Sequence, residues 1–480
     1  MNQLDFQTIF PYTFLTTWAC VLLLVDLFIP KDSKGITAFL AALGLALTLS
    51  FTLLQIGSEQ TGFHGMVVLD GFSTFVNALL LVSGLLGVAL AYGYVKRVGI
   101  ERGEYYTLLL FSVTGMMLMA QATDLIMVFL ALELLSIPLY VLAAFAHPKL
   151  ESEEAGMKYF LLGAFSTGFV VYGIALIFGA TGSTSLAAIV ASASAGTSGL
   201  LLTIGAALLL IGFGFKVAAV PFHMWTPDVY QGAPTSVTAF MSSGAKIAGF
   251  AALLRVFATA FPSIAVDMTD ILWVLSALTM IVGNVIAISQ TDIKRMLAYS
   301  SIAHAGYILM AFVPYGNPDV RNVSVAAGLF YLVSYAVTNF GAWAVVISLE
   351  TKAGKGLTLD DYSGLAKKHP ALAAAMTVFI LSLIGFPPTL GMVGKFYLFR
   401  AVLAGGFTWL AIIGVVTSLI SAFYYLRVVV NMYMREGDPA TERETWLDLS
   451  TGATALLTIA LSLVPGFLFA WASEAVLKLF

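Results

Sequence analysis

A single cysteine, Cys20, stands among 480 residues. That excludes internal disulfides and any cysteine-built cluster or zinc site. Charge is scarce as well: 10% of the residues are Asp, Glu, Lys or Arg, and the formal net charge is −3. So small a charge argues for no nucleic acid and no strongly charged soluble partner. No Walker sequence, CxxC, HExxH or GxSxG is present, and no GxGxxG lies in a strand–turn–helix setting. The nucleotide-binding, metalloprotease and nucleophile-elbow classes therefore lack their usual sequence support. The five histidines, at 64, 147, 223, 304 and 369, are scattered, with no pair on one helix to hold a haem. The start, MNQLDFQTIF, lacks the basic region of a cleavable signal peptide, so the first apolar run is expected to be retained as a span.

Apolar residues are what the chain has in excess: 60% of the total, with a mean hydropathy of +0.95. Apolar runs long enough to cross a bilayer recur throughout, the pattern of an all-α polytopic membrane protein. Fourteen runs are expected, near 8–30, 36–57, 71–95, 104–122, 125–146, 157–181, 199–220, 235–260, 270–290, 293–313, 322–349, 371–404, 407–433 and 450–478. The loops after odd-numbered runs, with their helix edges, hold 16 of the 23 basic residues, among them Lys96, Arg97, Lys158, Lys294 and Arg295. The other loops and the tails hold only Arg321, Arg400 and Lys478. The positive-inside rule then places the odd loops in the cytoplasm and both termini outside. The stretch 182–198 is expected to be a small polar outer loop. The linker 350–369 reads equally as a short interfacial helix or a solvated segment.

Four basic residues fall within the runs: Lys216, Lys246, Arg255 and Lys395. Arg255 lies near a helix end, where it can snorkel. The three lysines have no such escape, and a charge at bilayer depth costs at least a few kcal/mol. Lys216 directly precedes an interruption holding Pro221, Pro227 and Pro234. Two readings fit: a discontinuous helix over 199–234 lining a polar cavity, or an intact helix followed by a cytoplasmic loop. Lys246 is about 15 Å into its run, behind Ser242, Ser243 and Gly244. It is either a proton-exchanging amine, its basicity lowered by desolvation, or part of a structural salt bridge. Lys395 follows Gly385, Pro387, Pro388, Gly391 and Gly394, a second expected break within 371–404.

Glu133 is about 12 Å into its run and has no basic neighbour three or four residues on. It either pairs with an intramembrane lysine or sits protonated in a packed interior. His304, beside Ser300, Ser301 and Tyr307, is a proton relay or a packing residue. His223 at the first break is similarly open. Lys158 is a snorkelling anchor or a group on the path by which protons arrive. Asp228 and Asp292 read as loop or helix-start residues.

Four stretches carry a family resemblance: VFLALELLSIPLYVL, FKVAAVPFHMWTPDVYQGAPTSVTAF, KRMLAYSSIAHAGYILM and IGFPPTLGMVGKFYLF. They resemble the antiporter-like subunit N type of bacterial respiratory complex I, the chain 2 type in mitochondrial naming. The match extends along essentially the whole chain. FHxWxPD is shared with the wider antiporter family, while its continuation Val229–Gly232 is similar to the subunit N type.

The resemblance implies two inverted five-helix repeats, over 123–260 and 268–433. They would be preceded by N-terminal helices over 1–122 and followed by a C-terminal span over 449–480. It implies proton-path roles for Glu133, Lys216, Lys246, His304 and Lys395, with His223 and Lys158 secondary. Glu133 would tune Lys216, and a proton would pass between Lys216 and Lys246 through water and His304, then to or from Lys395. The chain is expected to hold no cofactor or metal. FMN, iron–sulfur clusters and quinone would sit on other subunits, and the partners would be neighbouring membrane subunits and the lipid bilayer of a bacterial plasma membrane. The alternatives are a stand-alone or Mrp-type cation/proton antiporter, the equivalent subunit of a ferredoxin-dependent complex, a passive spacer, and a redox-active subunit.

Overall fold

The computed structural model describes residues 3–194, 199–260, 265–352 and 354–475. Among them, twelve helices are long and apolar enough to cross a membrane. The two remaining expected runs fall short for different reasons. Gly103–Gln121 is one helix, but it carries Glu104, two tyrosines, Ser112 and Gln121, and most of it is buried in the bundle. The run 371–404 is two helices, Pro370–Ile384 and Leu390–Ala404, of 15 residues each. All fourteen runs thus appear as helices, most with ends within a few residues of expectation.

Two boundaries moved further. The sixth helix begins seven residues early, at Leu150, with Glu151 and Glu153 in its first turn, where acidic groups suit the helix dipole. The last run starts at Thr445 and stops at Leu463, because Pro465 cannot continue it; a short helix, Pro465–Glu474, follows.

The layering follows polarity. Thr235–Phe257, Ile293–Gly316 and Arg321–Leu349 each have an 18-residue stretch buried throughout. These helices carry Lys246, Ser300, Ser301, His304, Ser334 and Asn339. Outer helices such as Gly35–Leu54 and Thr408–Met434 turn large apolar side chains outward, Phe39, Leu54, Leu419 and Phe423 among them. Helices cannot gain by hiding apolar groups from lipid, so polar contact and close packing must hold the centre.

Arg255 corrects the snorkelling expectation. It is 1% exposed. Its guanidinium donates to both Asp70 oxygens, at 2.6 and 2.9 Å, and to the Ala120 carbonyl. Asp70 also caps the Gly71–Arg97 helix by accepting from the Ser73 N–H at 2.8 Å.

The 182–198 stretch also differs from expectation. Leu186–Ser194 is a helix, and Leu186 and Ile189 are fully buried. The Thr184 hydroxyl donates to Asp124, the cap of the Leu125–Ala143 helix, and the Leu125 N–H donates to the Thr184 carbonyl. Residues 195–198 lie outside the described set. In the 350–369 linker, a helical turn at Leu359–Tyr362 and a short helix at Leu365–Lys368 bury Leu359, Tyr362 and Leu365. The linker is thus neither fully solvated nor one interfacial helix: its apolar residues pack into the protein.

Candidate proton path

The first break is real. The Leu200–Val217 helix ends where Ala218 takes a left-handed conformation (φ 62°), and a turn leads into Trp225–Gly232. The Trp225 indole N–H donates to the Phe215 carbonyl at 2.9 Å, so part of the freed backbone is satisfied from across the break. Lys216 is therefore a last-turn residue. It is 5% exposed, and its Nζ donates to Ser136 Oγ at 2.6 Å. The rings of Tyr159 and Tyr140 lie 5.6 and 5.9 Å away, within cation–π range.

Ser136 is one turn from Glu133 on the same helix. Glu133 accepts from the Thr167 hydroxyl at 2.7 Å and lies within coulombic reach of Lys216. No ion pair within 4 Å joins the two, and the Ser136 hydroxyl that accepts from Lys216 donates to the Leu132 carbonyl, not to Glu133. Glu133 is also half-buried, at the outer face of its helix.

Lys246 follows a π-helical segment, Met241–Ala245, a distortion that often marks functional sites. It is 2% exposed. Its Nζ donates to the Ser301 carbonyl and hydroxyl, at 2.5 and 2.6 Å. The Tyr335 hydroxyl donates to the same Ser301 hydroxyl at 2.9 Å. The ion pairs among the described residues all lie elsewhere, so Lys246 is not locked in a salt bridge. The Lys246 helix reaches the first break at Gly249, where an added Cβ would meet Val217 at 3.1 Å and Lys216 at 3.4 Å.

His304 lies beyond Lys246, on the Lys395 side, rather than between the first two lysines. Its Nδ1 is 2.8 Å from the Tyr331 hydroxyl, and its Nε2 is 3.3 Å from the Tyr425 hydroxyl. Tyr425 in turn meets Ser300. Both Lys246 and Lys395 lie within coulombic reach of the ring.

Lys395 shows what the second break does. The Pro370–Ile384 helix ends at Gly385 (φ 90°), leaving carbonyls without amide partners. Lys395, 4% exposed, folds back onto them and donates to Leu383 O at 3.1 Å and Ile384 O at 2.8 Å. A cation suits this negative helix end. A third bond goes to Ser418 Oγ at 2.6 Å, and Nζ lies 4.5 Å from the Tyr307 ring centre.

A Cβ on Gly385 would stand 2.8 Å from Lys395 Cδ, in a conformation that side chains rarely adopt. Gly385→Val should therefore displace the ammonium and destabilise this region by about 1–3 kcal/mol. Thermal unfolding of the purified assembly, alongside its proton flux, checks this. Unchanged values for both would show that the break does not depend on this residue.

The remaining expected groups lie off the buried axis. Lys158 bridges Asp228 and Glu154, both at 2.7 Å, and its side chain is 40% exposed. Arg295 also holds Asp228, at 2.7 Å. Glu154, Lys158 and Asp228 line a cavity of about 350 Å³ together with Lys149, Glu151 and Asp292. His223 is half-buried in the turn, its Nδ1 without a partner. Asp292 caps its helix by accepting from the Arg295 N–H. Among the described residues no three His, Cys, Asp or Glu converge as a metal site.

The charged members of the axis stand out in the sequence, but most of its hydroxyls do not: Ser136, Thr167, Tyr331, Tyr335, Ser418 and Tyr425. Hydroxyls within enclosed apolar helices were the available signal.

These features define a class: a multi-pass helical membrane protein with ionisable groups strung through hydroxyls along its buried centre. The comparisons agree. The model of the NADH:quinone oxidoreductase/Mrp antiporter transmembrane family matches residues 122–421. NADH-quinone oxidoreductase subunit N of Trichlorobacter lovleyi is 47% identical, over 97% of this chain and 95% of its own. That of Chloroflexus aggregans is 48% identical, over 99% and 98%. A chain of respiratory complex I from Thermus thermophilus superimposes with a TM-score of 0.83 at 38% identity, covering 96% of this chain and 99% of that one. A chain of the Mrp complex from Dietzia, 21% identical with a TM-score of 0.84, shares the fold across 97% and 96%. The chain belongs to the NADH-quinone oxidoreductase subunit N family.

Proposed function

We propose that this chain moves protons across the membrane as a subunit of an NADH:quinone oxidoreductase, and that it performs no redox chemistry itself. The observation that carries the reading is a sequence that starts at half-buried Glu133 and continues through buried Ser136 and Lys216, then Lys246, Ser301 and Tyr335, then Tyr331, His304 and Tyr425, then Lys395. Every member holds or passes a proton: lysine donates three ways, and each hydroxyl both donates and accepts. A passive spacer would do better with apolar residues, since a charge buried in lipid is costly.

Glu133 changes the field felt by Lys216, so its charge sets when that lysine releases its proton. The proton reaches Lys246, crosses the Ser301 and tyrosine hydroxyls to His304, and arrives at Lys395. Glu133 itself faces outward, suited to sense a neighbouring antiporter-like subunit. The two broken helices, one in 123–260 and one in 268–433, are the counterparts expected of two inverted repeats. FMN, iron–sulfur clusters and quinone lie on other subunits. The chain sits in a bacterial plasma membrane with its termini outside.

Lys216→Ala in the assembled complex tests the reading. Proton pumping into vesicles should fall several-fold, with the subunits still co-purifying. Full pumping coupled to quinone reduction would refute it.

A further inference from the structure

A second group of buried polar residues lies apart from the axis. It sits beside the helix ends that carry Arg97, which donates to the Ile347 carbonyl, and Lys294, within coulombic reach of Glu350. Glu350 follows the Arg321–Leu349 helix and is 4% exposed. One of its oxygens accepts from the Tyr94 hydroxyl at 3.2 Å; the other has no partner. The Thr235 N–H donates to the same tyrosine oxygen at 3.0 Å. The Thr235 and Tyr362 hydroxyls are buried and also unpartnered.

Lys294, buried and within coulombic reach of Glu350, makes no ion pair with it within 4 Å. Its Nζ instead donates to the Ala233 carbonyl at 2.7 Å. A carboxylate kept for stability would have both oxygens bonded and its lysine drawn onto it, because an unpaired buried oxygen costs about 1–3 kcal/mol or more. Glu350 is arranged otherwise: partnered on one side and free on the other.

The geometry connects this group to the axis. Ser301, the partner of Lys246, is seven residues from Lys294 on the same helix, two turns or about 10 Å. The phenol of Tyr230, on the Trp225–Gly232 helix that ends at Ala233, reaches Ser301.

We propose that Glu350 is the carboxylate that loads protons into this chain from the side of the membrane where its basic loops gather. It takes a proton from water at that face and becomes neutral. It then gives the proton up past Lys294 and Tyr230 to Ser301 and Lys246, returning to the carboxylate. No electron moves and no bond other than those to the proton changes. The proposal rests on the chain being a proton conduit.

The test is Glu350→Gln in the whole complex, reconstituted in vesicles, with Tyr94→Phe and Glu350→Asp beside it. Pumping should fall several-fold in Glu350→Gln, fall less in Tyr94→Phe and largely return in Glu350→Asp, with subunit content unchanged. Infrared difference spectra of the parent should show a carboxyl band that disappears in Glu350→Gln. Parent-like pumping in an assembled Glu350→Gln overturns the proposal. Should that variant fail to assemble, parent-like pumping in Tyr94→Phe overturns it. So does sodium- or potassium-dependent pumping that only the parent shows, since that marks a bound cation. Lys246→Met, run in parallel, separates the two levels. If it pumps normally, the conduit reading itself falls; if it alone loses pumping, only the role of Glu350 does.

Discussion

Lys246→Met should cut proton flow through this chain by roughly 10²-fold, the lower end of what a positioned proton-transfer group contributes. Methionine keeps the length and apolar stem of the lysine and removes only the ammonium. The side chain is enclosed by Ser301 and Tyr335, so the variant should fold. It leaves the Ser301 carbonyl and hydroxyl without that donor, while the hydroxyl still accepts from Tyr335, a modest cost. The deficit should therefore appear in pumping and not in subunit content. The measurement is the initial rate of vesicle acidification against the rate of quinone reduction. The Lys246 site is the sharpest place to test because its ammonium has no carboxylate partner, so little structural work is lost with the charge.

Arg255→Met should have the largest effect on stability, about 3–5 kcal/mol, because it strands Asp70. The guanidinium holds both Asp70 oxygens and the Ala120 carbonyl, and it lies 4.7 Å from the Phe72 ring centre. Asp70 also predicts a pH dependence. Burial pushes its carboxyl up, but the charge and hydrogen bonds of Arg255, with help from Ser73, outweigh burial and hold it below the usual carboxylate range. A group with a depressed folded value stabilises above its unfolded value, near 3.9, and the contribution fades as the pH falls through the folded one. Thermal unfolding of the parent should thus lose this increment only below about pH 4. Arg255→Met should lack that acid-dependent step. An identical acid profile in the two would show that the pair contributes nothing.

The spans were legible because lipid imposes length and apolarity on every segment. The two breaks were legible because the clustered Pro221, Pro227 and Pro234, and Gly385 with Pro387 and Pro388, disfavour a continuous helix, and lone lysines in apolar runs marked the axis. What stayed hidden was pairing across long stretches of chain. Arg255 and Asp70 are 185 residues apart, and Lys216 and Ser136 are 80 apart. Nothing local to Arg255 distinguishes a residue near a helix end that reaches for the surface from one that turns inward to a cap. Glu350 was hidden differently. It opens a segment rich in charge, Glu350–His369, and reads there as one more solvated group. Only the fold shows that the Arg321–Leu349 helix holds it inside. The 182–198 stretch misled for a related reason: small residues read as loop, yet Leu186 and Ile189 are buried and Thr184 holds the Asp124 cap.

The central claim is that Lys216 and Lys246 serve one conduit. The direct measurement compares protons translocated per electron pair in Lys216→Ala, Lys246→Met and the double variant, in the reconstituted complex. Residues acting as a unit are strongly non-additive. The account predicts that the double variant pumps no worse than the more impaired single one. Losses that multiply in the double variant, or singles that pump like the parent, would contradict it.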